Sequence, residues 1–309
     1  MTSPTTPALT VVGTVALDDV TTPAGTAEAV LGGSATYFSL AASLFARVGI
    51  VGVVGRDFPG RFRDLLGGRD IDLTCLETAP RATFRWAGRY DGAMNAATTL
   101  RTDLNVLATF SPSLAHGHRH APYVFLANTA PAIQLSVLSQ LAPAAPGARL
   151  VVADTMNLWI DTARDGLLEV LRRVDGLLVN DEEARSLAGH RNLISAGRRL
   201  LTYGPRFVLV KKGEHGAFLF ARDRQYALPA YPLEEVRDPT GAGDSFAGGL
   251  MGALAASGRS ATPDVARAML YGAVTASFAV STFSVDALAR VTRSEVEARA
   301  DELRRFVTL

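Results

Sequence analysis

The stretch Asp238-Pro239-Thr240-Gly241-Ala242-Gly243-Asp244 decides the fold of this chain, and Ser245-Phe246-Ala247-Gly248-Gly249 follows it directly. Gly241 and Gly243 lack a Cβ atom, so the backbone there can turn sharply and come close to a ligand. Apolar residues then recur at helical spacing, which predicts that the glycines open a helix. These apolar residues are Phe246, Leu250, Met251 and Leu254.

An acidic residue, Asp244, follows the glycines in the first turn of this predicted helix. The N-terminus of a helix favours an anion because its first N–H groups are unpaired and the helix dipole is positive there. A carboxylate beside that anion can take a proton from a hydroxyl group while the N–H groups hold developing negative charge. The stretch therefore favours phosphoryl transfer to an alcohol. The alternative is a glycine-rich helix start that Asp244 simply caps.

The same stretch resembles the second signature of the PfkB (ribokinase-like) family of carbohydrate and nucleoside kinases. The resemblance implies that Asp244 is the catalytic base and that the amides of Gly241, Ala242 and Gly243 form an anion hole. It also implies that Asp238 binds a monovalent cation, such as K⁺, beside the anion hole. The implied fold is α/β, a ribokinase-like doubly wound and mostly parallel sheet flanked by helices, with a small β lid.

The composition is that of an ordinary globular protein with a large core. The chain has 309 residues, of which 48% are hydrophobic and 20% are charged. The formal net charge of +1 creates no global basic field, so nucleic acid is not an expected partner. Cys75 is the sole cysteine, which excludes an intrachain disulfide and suits a reducing compartment.

Neither a membrane span nor a secretory leader is expected. No apolar run reaches the length of a transmembrane helix. Residues 1–8 are rich in Thr and Pro and lack a basic start with an apolar stretch, so we expect a disordered tail. We therefore expect a cytoplasmic protein with a single kinase domain over residues 9–309.

Short β-rich runs alternate with longer helical patterns along the chain. Between 123 and 210 the predicted strands are almost continuously apolar, which indicates burial on both faces of a mostly parallel sheet. The alternation predicts a doubly wound α/β domain whose ligands collect at the carboxyl ends of the strands. The predicted strands are Leu9–Val15, Ile50–Val54, Tyr123–Ala127, Leu150–Ala153, Gly176–Val179, Phe207–Lys211 and Ala217–Ala221, and the predicted helices are Ala35–Ala46, Gly60–Gly67, Ile133–Leu141, Leu167–Val174, Glu182–Ala188, Leu193–Tyr203, Ser245–Ser257, Pro263–Ser281 and Arg293–Phe306.

The stretch 82–109 differs because its short strands are half-polar and have no helix between them. We interpret it as an antiparallel flap that forms a small β lid together with 14–33. The alternative is an edge hairpin of the main sheet. Phe84 and Trp86 share one strand face and are expected to pack the flap against its surroundings. A short exposed sheet also needs cover for its edge and apolar face, so we expect a homodimer through the lid.

Near the N-terminus, Gly13-Thr14-Val15-Ala16-Leu17-Asp18 has the pattern of a strand that ends in a carboxylate. Taken alone, Asp18 would be interpreted as the solvated start of a loop. The stretch resembles the first strand of the PfkB family, which implies that Asp18 binds hydroxyl groups of the acceptor. A carboxylate suits that role because it can accept two hydroxyl hydrogen bonds at once.

Gly32-Gly33 opens a helix rich in Ala and Leu and resembles the first signature of the family. The resemblance implies that Gly32 and Gly33 let the lid hinge and let backbone amides meet the substrate. The alternative is an ordinary loop before a core helix. Tyr37 stands where many members carry an Asn that bonds the substrate. Its phenol can hydrogen-bond a ring hydroxyl, which favours a sugar or cyclitol, or stack on a base, which favours a nucleoside.

Asn180-Asp181-Glu182-Glu183 follows the apolar strand Gly176–Val179 and resembles the Asn-x-x-Glu motif of the family. The resemblance implies that Asn180 and Glu183 act on Mg²⁺, its waters and the phosphates of ATP. This chemistry is reasonable because Mg²⁺ prefers oxygen ligands and keeps several waters. Asn180 can also cap the helix that follows, and both roles can hold together.

The stretch Val208–Ala217 resembles the strand and turn that precede the nucleotide base in the family, with Gly213 and Gly216 matching its glycines. Lys211 replaces a Thr found in some members, and it either reaches a phosphate or is a solvated turn lysine. Asp154-Thr155-Met156-Asn157 lies where the family often has an Asp and an Asn near the reacting groups, although at unusual spacing.

The segment His116-Gly117-His118-Arg119-His120 does not predict a metal site, because nearby carboxylates and cysteines are missing from it. A closed metal site needs four well-placed ligands. We interpret the segment as a polar loop.

The resemblance spans 11–289 and implies ATP-dependent phosphorylation of a hydroxyl, most often a hydroxymethyl. We predict a sugar or cyclitol kinase. The alternatives are a nucleoside kinase of the same fold and a non-catalytic sugar-binding regulator, which the intact Asp244 and its anion hole disfavour. Neither a P-loop motif nor a dinucleotide-binding Gly-x-Gly-x-x-Gly is present, so P-loop kinase and nicotinamide chemistry are not supported.

Overall fold

The computed structural model describes residues 6–92, 94 and 96–308. Strands and helices alternate along the described chain, as the sequence predicts. The strands are β1 (Leu9–Val12), β2 (Ala16–Thr22), β3 (Gly25–Gly32), β4 (Val48–Gly55), β5 (Asp72–Ala79), β6 (Phe84–Tyr90), β7 (Ala97–Asp103), β8 (Tyr123–Leu126), β9 (Leu150–Asp154), β10 (Gly176–Asn180), β11 (Phe207–Lys211), β12 (Ala217–Ala221) and β13 (Gln225–Leu228). The helices are α1 (Ser34–Ser43), α2 (Gly60–Gly68), α3 (His116–Arg119), α4 (Pro131–Gln140), α5 (Asn157–Thr162), α6 (Arg164–Leu171), α7 (Asp181–Ala188), α8 (Leu193–Leu201), α9 (Ala242–Ser257), α10 (Thr262–Ala279), α11 (Asp286–Arg290) and α12 (Arg293–Val307), with 3₁₀ turns at Asn105–Thr109 and Gly213–His215.

In the described residues, nine strands form the main sheet in the order β13-β12-β11-β10-β9-β8-β1-β4-β5. The strands are parallel except at one edge, where β12 runs antiparallel to β11 and β13. After β1 the chain adds β4 and β5 on one side, and β8 then pairs with the other side of β1. This reversal is the switch point of a doubly wound sheet, where a crevice opens at the carboxyl ends of the strands. The predicted fold class is confirmed.

The central strands are buried on both faces, as their continuous apolar runs predict. Every residue of β1 and β8 is buried. On one face of the sheet, the ring of Phe38 from α1 stacks on that of Phe125 from β8, with centroids 4.5 Å apart. On the other face, Leu171 of α6 and Leu187 of α7 belong to a second buried cluster. Two apolar layers therefore hold the sheet rigid beneath its crevice.

Helix α9, which the glycine motif opens, packs closely against α1 and α10. A Cβ atom on Gly248 would lie 2.2 Å from the carbonyl oxygen of Phe38, and one on Gly249 would lie 2.6 Å from that of Tyr271. Backbones that approach so closely require residues without side chains. The pair Gly248-Gly249 therefore fixes the start of α9 against the core.

A second sheet of four strands, in the order β3-β2-β6-β7, forms apart from the main sheet within the described residues. The segments 14–33 and 82–109 contribute its strands, so they are not an edge hairpin of the main sheet. The sheet is not wholly antiparallel, because β2 and β6 pair in parallel. The indole N–H of Trp86 donates to Thr99 Oγ1 at 3.2 Å across this sheet. The function of this second sheet as a lid remains a prediction.

Some elements escaped sequence prediction because their patterns are weak. Strand β5 mixes buried and exposed positions at the sheet edge, and β13 alternates over four residues only. Residues 1–5 of the expected disordered tail lie outside the described residues, whereas Pro7 is buried. Among the helices of the described chain, none combines the length and the apolar character that a bilayer crossing requires.

Candidate active site

The glycine motif forms a left-handed turn immediately before α9. Gly241 has φ 73°, a conformation that glycine adopts without steric cost. A Cβ atom there would also lie 2.3 Å from the ring of Tyr37, which packs beneath the turn. Both constraints require glycine. The Ala242 amide donates to the Pro239 carbonyl at 3.2 Å, whereas the amides of Gly241 and Gly243 have no hydrogen-bond partner among the described residues and are left at the crevice, as an anion site needs.

Asp238 anchors this turn. Its side chain is buried, and its Oδ1 accepts the Thr240 amide at 2.9 Å while its Oδ2 accepts the Ser284 amide at 3.1 Å. Ser284 itself is in the left-handed region, with φ 57°, and its hydroxyl donates to the carbonyl oxygen of Leu31 at 2.6 Å. One carboxylate therefore ties the glycine motif to the loop after α10, and Ser284 ties that loop to β3.

Asp244 lies in the first turn of α9, half-buried at the crevice. Loss of solvation raises the pKa of its carboxyl to about 7, the nearby Asp154 carboxylate adds to the rise, and the Lys211 ammonium opposes it. A carboxyl with a pKa near neutrality is suited to take up a proton during a reaction. The structure therefore places a candidate general base beside the unpaired amides.

Lys211 ends β11 and points at the glycine motif. Its Nζ donates to Asp154 Oδ2 at 3.3 Å, and a Cβ atom on Gly243 would lie only 2.8 Å from it. The side chains of Lys211 and Asp154 are 17% and 7% exposed, so neither is freely solvated. The interpretation of Lys211 as a solvated turn lysine is therefore wrong, because the ion pair holds it in the crevice.

Asn180 and Glu183 form a reciprocal capping box at the start of α7. Asn180 Oδ1 accepts the Glu183 amide at 2.7 Å, and Glu183 Oε2 accepts the Asn180 amide at 2.7 Å. The predicted cap is confirmed. Burial raises the pKa of Glu183 to about 7, and the charge of Asp154 adds to this. Within the described residues, no cluster of three metal-binding side chains is preformed here or elsewhere.

Asp18 lies on β2 of the second sheet and is 4% exposed. The interpretation as a solvated loop start is therefore wrong. Its carboxyl fits against Gly32, where a Cβ atom would lie 1.8 Å from Oδ2, and the Gly33 amide also contacts it. Its Oδ1 is buried without a hydrogen-bond partner among the described residues. Burial raises the pKa of Asp18 to about 8, although the Gly33 amide opposes the rise.

The phenols of Tyr37 and Tyr90 lie near these carboxyls. Tyr37 is 2% exposed, and burial raises its pKa well above the ordinary value, with further rises from Asp238 and Asp18. Because the turn at Gly241 covers its ring, almost no ring surface is left for stacking on a base. Tyr90, on β6, and Thr240 lie with their hydroxyl oxygens 3.3 Å apart, so the second sheet contacts the glycine motif.

Gly213 and Gly216 form the turn between β11 and β12. Both have positive φ, 55° and 82°, and the Lys212 amide donates to the Gly216 carbonyl at 2.7 Å across the turn. A Cβ atom on Gly216 would lie 2.0 Å from the Leu228 carbonyl oxygen. The turn therefore follows Lys211 at the carboxyl end of β11, at the same edge of the sheet as Asn180.

The structure thus brings most predicted site residues to one edge of the sheet. Asp154 is the main addition, since sequence reasoning gave it no role beyond a position near the reacting groups. The sequence did carry a signal for Asp154, because this residue stands at the end of a buried strand that pairs in parallel with β10. The carboxyl ends of neighbouring parallel strands meet at the same edge of the sheet. The contact between Tyr90 and Thr240 joins distant segments and has no comparable sequence signal.

Comparison with known proteins identifies the family of this chain. The model of the pfkB family carbohydrate kinases matches residues 9–290. The chain therefore belongs to the pfkB family of carbohydrate kinases, whose members act on sugars or nucleosides. It is a phosphotransferase with an alcohol group as acceptor.

Similar sequences include kinases for both kinds of acceptor. The chain is 30% identical over 250 residues to the cytidine kinase of Thermococcus kodakarensis. The aligned region covers 79% of this chain and 87% of that kinase. The chain is 34% identical over 126 residues to a fructokinase of Klebsiella pneumoniae. This aligned region covers 38% of this chain and 41% of the fructokinase.

Solved structures confirm the ribokinase-like fold. The nucleoside kinase of Methanocaldococcus jannaschii superposes with a TM-score of 0.75 at 22% identity. The superposition covers 95% of this chain and 98% of the nucleoside kinase. A probable sugar kinase of Rhizobium etli superposes with a TM-score of 0.78 at 19% identity. The superposition covers 97% of this chain and 99% of the sugar kinase. At such identities the likeness shows the fold alone.

Asp18→Asn is expected to stabilise the ligand-free protein at pH 8. The folded-state pKa of about 8 lies above the ordinary value of 3.8. The folded protein therefore holds a proton that the unfolded chain releases, and stability falls as pH rises from about 4 to about 8. Asparagine cannot titrate, so the gain in melting temperature should be small near pH 4 and reach a few degrees at pH 8.

Thermal unfolding from pH 4 to pH 8 measures this gain. Asp64→Asn is the matched control, because Asp64 is exposed on α2. A melting-temperature difference for Asp18→Asn that does not grow with pH would show that burial does not disfavour the charged form of Asp18.

Proposed function

We propose that the protein transfers the γ-phosphoryl group of ATP to a hydroxyl, most often a hydroxymethyl, of a small sugar or cyclitol. The observation that carries this proposal is the position of Asp244 next to the Gly243 amide, which is unpaired among the described residues, just after the turn at Gly241. A base and an anion site in contact are what transfer to an alcohol requires. Family membership supports the use of ATP and Mg²⁺.

The acceptor would lie between the second sheet and the glycine motif. Asp18 Oδ1 has no hydrogen-bond partner within the described chain, so it can accept hydrogen bonds from acceptor hydroxyls. Gly32 and Gly33 bring backbone close to the same carboxyl. Tyr37 lies among the carboxyls and supplies a phenol that can bond a ring hydroxyl. These contacts would orient one hydroxyl toward Asp244.

In the transfer step, Asp244 takes the proton of the acceptor hydroxyl as its oxygen bonds to the γ-phosphorus. The bond from that phosphorus to the bridging oxygen of ADP breaks, and the electron pair leaves with ADP. The amides of Gly241 and Gly243 would hold the charge of the transferred group, and the Ala242 amide would join them once it releases the Pro239 carbonyl. The nucleotide would approach along the turn at Gly213 and Gly216 that follows Lys211.

Asn180 and Glu183 fit an outer-shell role toward Mg²⁺. The capping box occupies one oxygen of each side chain and fixes both, which leaves Glu183 Oε1 to meet a metal-bound water. Mg²⁺ bound to nucleotide phosphates usually keeps several waters and few protein ligands, and the ion would neutralise phosphate charge. Such a site does not need the preformed cluster that the described residues lack.

A nucleoside is the second candidate acceptor. The cytidine kinase of Thermococcus kodakarensis matches 79% of this chain, a wider match than the fructokinase of Klebsiella pneumoniae gives. The covered ring of Tyr37 argues against base stacking at that residue. A sugar and the ribose of a nucleoside both offer hydroxyls to Asp18, so the same site serves either acceptor.

The proposed use of ATP is consistent with the expected cytoplasmic location.

Phosphorylation assays with a panel of sugars, cyclitols and nucleosides test this function. The wild type should form ADP with at least one acceptor, and Asp244→Asn should lose roughly 10²–10⁴-fold in kcat, the usual contribution of a general base. Tyr37→Phe should lower kcat/KM about tenfold for a sugar, since one hydrogen bond is worth about 1 kcal/mol. No loss for Tyr37→Phe and turnover only with nucleosides would support the second candidate.

Binding of an unreactive ATP analogue is the control for these variants. Asp244→Asn should still show a thermal shift with the analogue, because a ligand that binds the folded state raises its stability. If the variant keeps more than about a tenth of the wild-type kcat on the best acceptor, the role of Asp244 as the base is wrong.

We also propose that K⁺ activates the enzyme through Asp238. Asp238 already ties Thr240 to the loop at Ser284, so a cation held there would order the anion hole. A fructokinase from Vibrio cholerae with 17% identity was solved with potassium bound. Replacing K⁺ by tetramethylammonium at constant ionic strength should lower kcat several-fold. Equal rates in the two salts would rule out this activation.

A homodimer through the second sheet is a further expectation. Strand β7 is exposed along most of its length, and Leu100 on it is 57% exposed. An uncovered edge strand with an exposed apolar side chain is a surface for pairing. Sedimentation should show a dimer for the wild type and a monomer for Leu100→Lys. A monomeric wild type at assay concentrations would contradict this expectation.

A further inference from the structure

Lys211 occupies an unusual position for a lysine. It is the last residue of β11, in register with Asn180 on the neighbouring strand β10, and its side chain is 17% exposed. Its Nζ lies so near the glycine motif that a Cβ atom on Gly243 would be 2.8 Å away. The ammonium is therefore at the anion hole, and this contact gives a second reason for glycine at 243.

The Lys211 ammonium is not saturated with hydrogen bonds. An ammonium carries three N–H donors. Among the described residues, its hydrogen bond is the one to Asp154 Oδ2, at 3.3 Å. Two donors are left beside the Gly243 amide, which is also unpaired in the described part of the chain, and an anionic oxygen there would meet both groups.

Asp154 is held rigidly on the other side of Lys211. Its Oδ1 accepts the Thr155 amide at 2.7 Å, and its carbonyl oxygen accepts Gln134 Nε2 at 3.0 Å. The same buried amide of Gln134 also bonds the carbonyls of Leu126 and Ala127 at the end of β8. Asp154 thus presents a fixed carboxylate, 7% exposed, to a flexible lysine side chain.

Stability alone does not explain this pair. Withdrawing two charges from water costs free energy that their attraction often fails to repay, so a buried ion pair contributes little net stability. A long lysine side chain also loses conformational entropy when it is fixed. The pair is better explained by a ligand that uses the ammonium.

We propose that Lys211 binds the γ-phosphoryl group of ATP at the anion hole, and that Asp154 is the positioning residue that holds the Lys211 ammonium there. This inference rests on the proposed function, since it assumes phosphoryl transfer at Asp244. The two free donors of Lys211 would contact oxygens of the transferred group, whose charge spreads over them in the transition state. Lys211 would thus act together with the amide of Gly243.

The pair also acts on the base. Asp154 raises the pKa of Asp244, and Lys211 lowers it. The carboxyls of Asp18 and Glu183 and the phenols of Tyr37 and Tyr90 face Asp244 as well. Asp154 raises the pKa of Glu183 and Lys211 lowers it, so Glu183 responds to the pair in the same direction as Asp244. Removing Lys211 should therefore move the acid limb of the kcat/KM profile to higher pH. Removing the charge of Asp154 should move it to lower pH.

Four variants test the proposal, and they are Lys211→Met, Asp154→Asn, the double variant and the control Lys212→Met. Lys212 is adjacent, and its ammonium stacks on Phe218 at 4.6 Å instead of facing the anion hole. Lys211→Met should lose roughly 10²-fold in kcat, the usual cost of one donor to a developing charge. Asp154→Asn should lose about tenfold, and Lys212→Met should stay within about twofold, because only the first two alter the site.

The double variant separates positioning from an independent role. If Asp154 acts through Lys211, its loss should cost nothing further once Lys211 is gone, so the double variant should match Lys211→Met within about threefold. The double variant also removes both charges of the pair, so neither Lys211 nor Asp154 is left charged without the other. The melting temperatures of the two single variants, compared with that of the double variant, therefore show whether a single variant fails through misfolding.

Binding measured by calorimetry gives a readout that does not depend on the acceptor. Lys211→Met should bind the unreactive ATP analogue AMP-PNP about tenfold more weakly and ADP within about twofold of the wild type. Equal losses for the two nucleotides would overturn the assignment to the γ-phosphoryl group. A kcat for Lys211→Met within about threefold of the wild type, with an unmoved acid limb, would overturn the proposal as a whole.

The proposed function fails separately. It fails when the wild type phosphorylates no acceptor of the panel or when Asp244→Asn remains active. Turnover by the wild type that is lost in Asp244→Asn and kept in Lys211→Met would leave the function intact and reject only this inference.

Discussion

The close approach of Gly241 to Tyr37 is the contact on which the rest of the site depends. The turn has φ 73°, and its backbone lies directly on a buried ring of α1. It sets where α9 begins, and therefore where the unpaired amides and Asp244 face. Gly248 and Gly249 then lock α9 against the backbones of its neighbours. The anion hole is thus built on a closely packed part of the core, which keeps its amides preorganised.

The site collects buried and half-buried acids whose charged forms the fold disfavours. The pKa values of Asp18, Asp244 and Glu183 rise to about 8, 7 and 7, chiefly because burial disfavours their charged forms. Such groups are found where chemistry needs them, and stability is lost in exchange. Lys211 is the cation that shares this crevice, and Mg²⁺ and the substrates would bring the remaining compensation.

Two sheets meet at this crevice and have different roles. The main sheet contributes Asp154, Asn180 and Lys211 from the ends of three adjacent parallel strands. The second sheet contributes Asp18 and Tyr90, which reach the glycine motif from the opposite side. Asp238 and Ser284 connect the motif to β3. Any movement of the second sheet would therefore change the position of the anion-hole amides.

The sequence by itself determined the fold class and the main catalytic candidates, because local rules govern both. Continuous apolar strands require a sheet buried on both faces, and glycines before a helical repeat require a turn with free amides. Side-chain environment was decided only by tertiary structure. Lys211 and Asp18 looked solvated in isolation, yet packing of distant segments buries Asp18 and leaves the Lys211 side chain only 17% exposed. The pairing of Lys211 with Asp154 spans strands 57 residues apart, and no local pattern encodes such a contact.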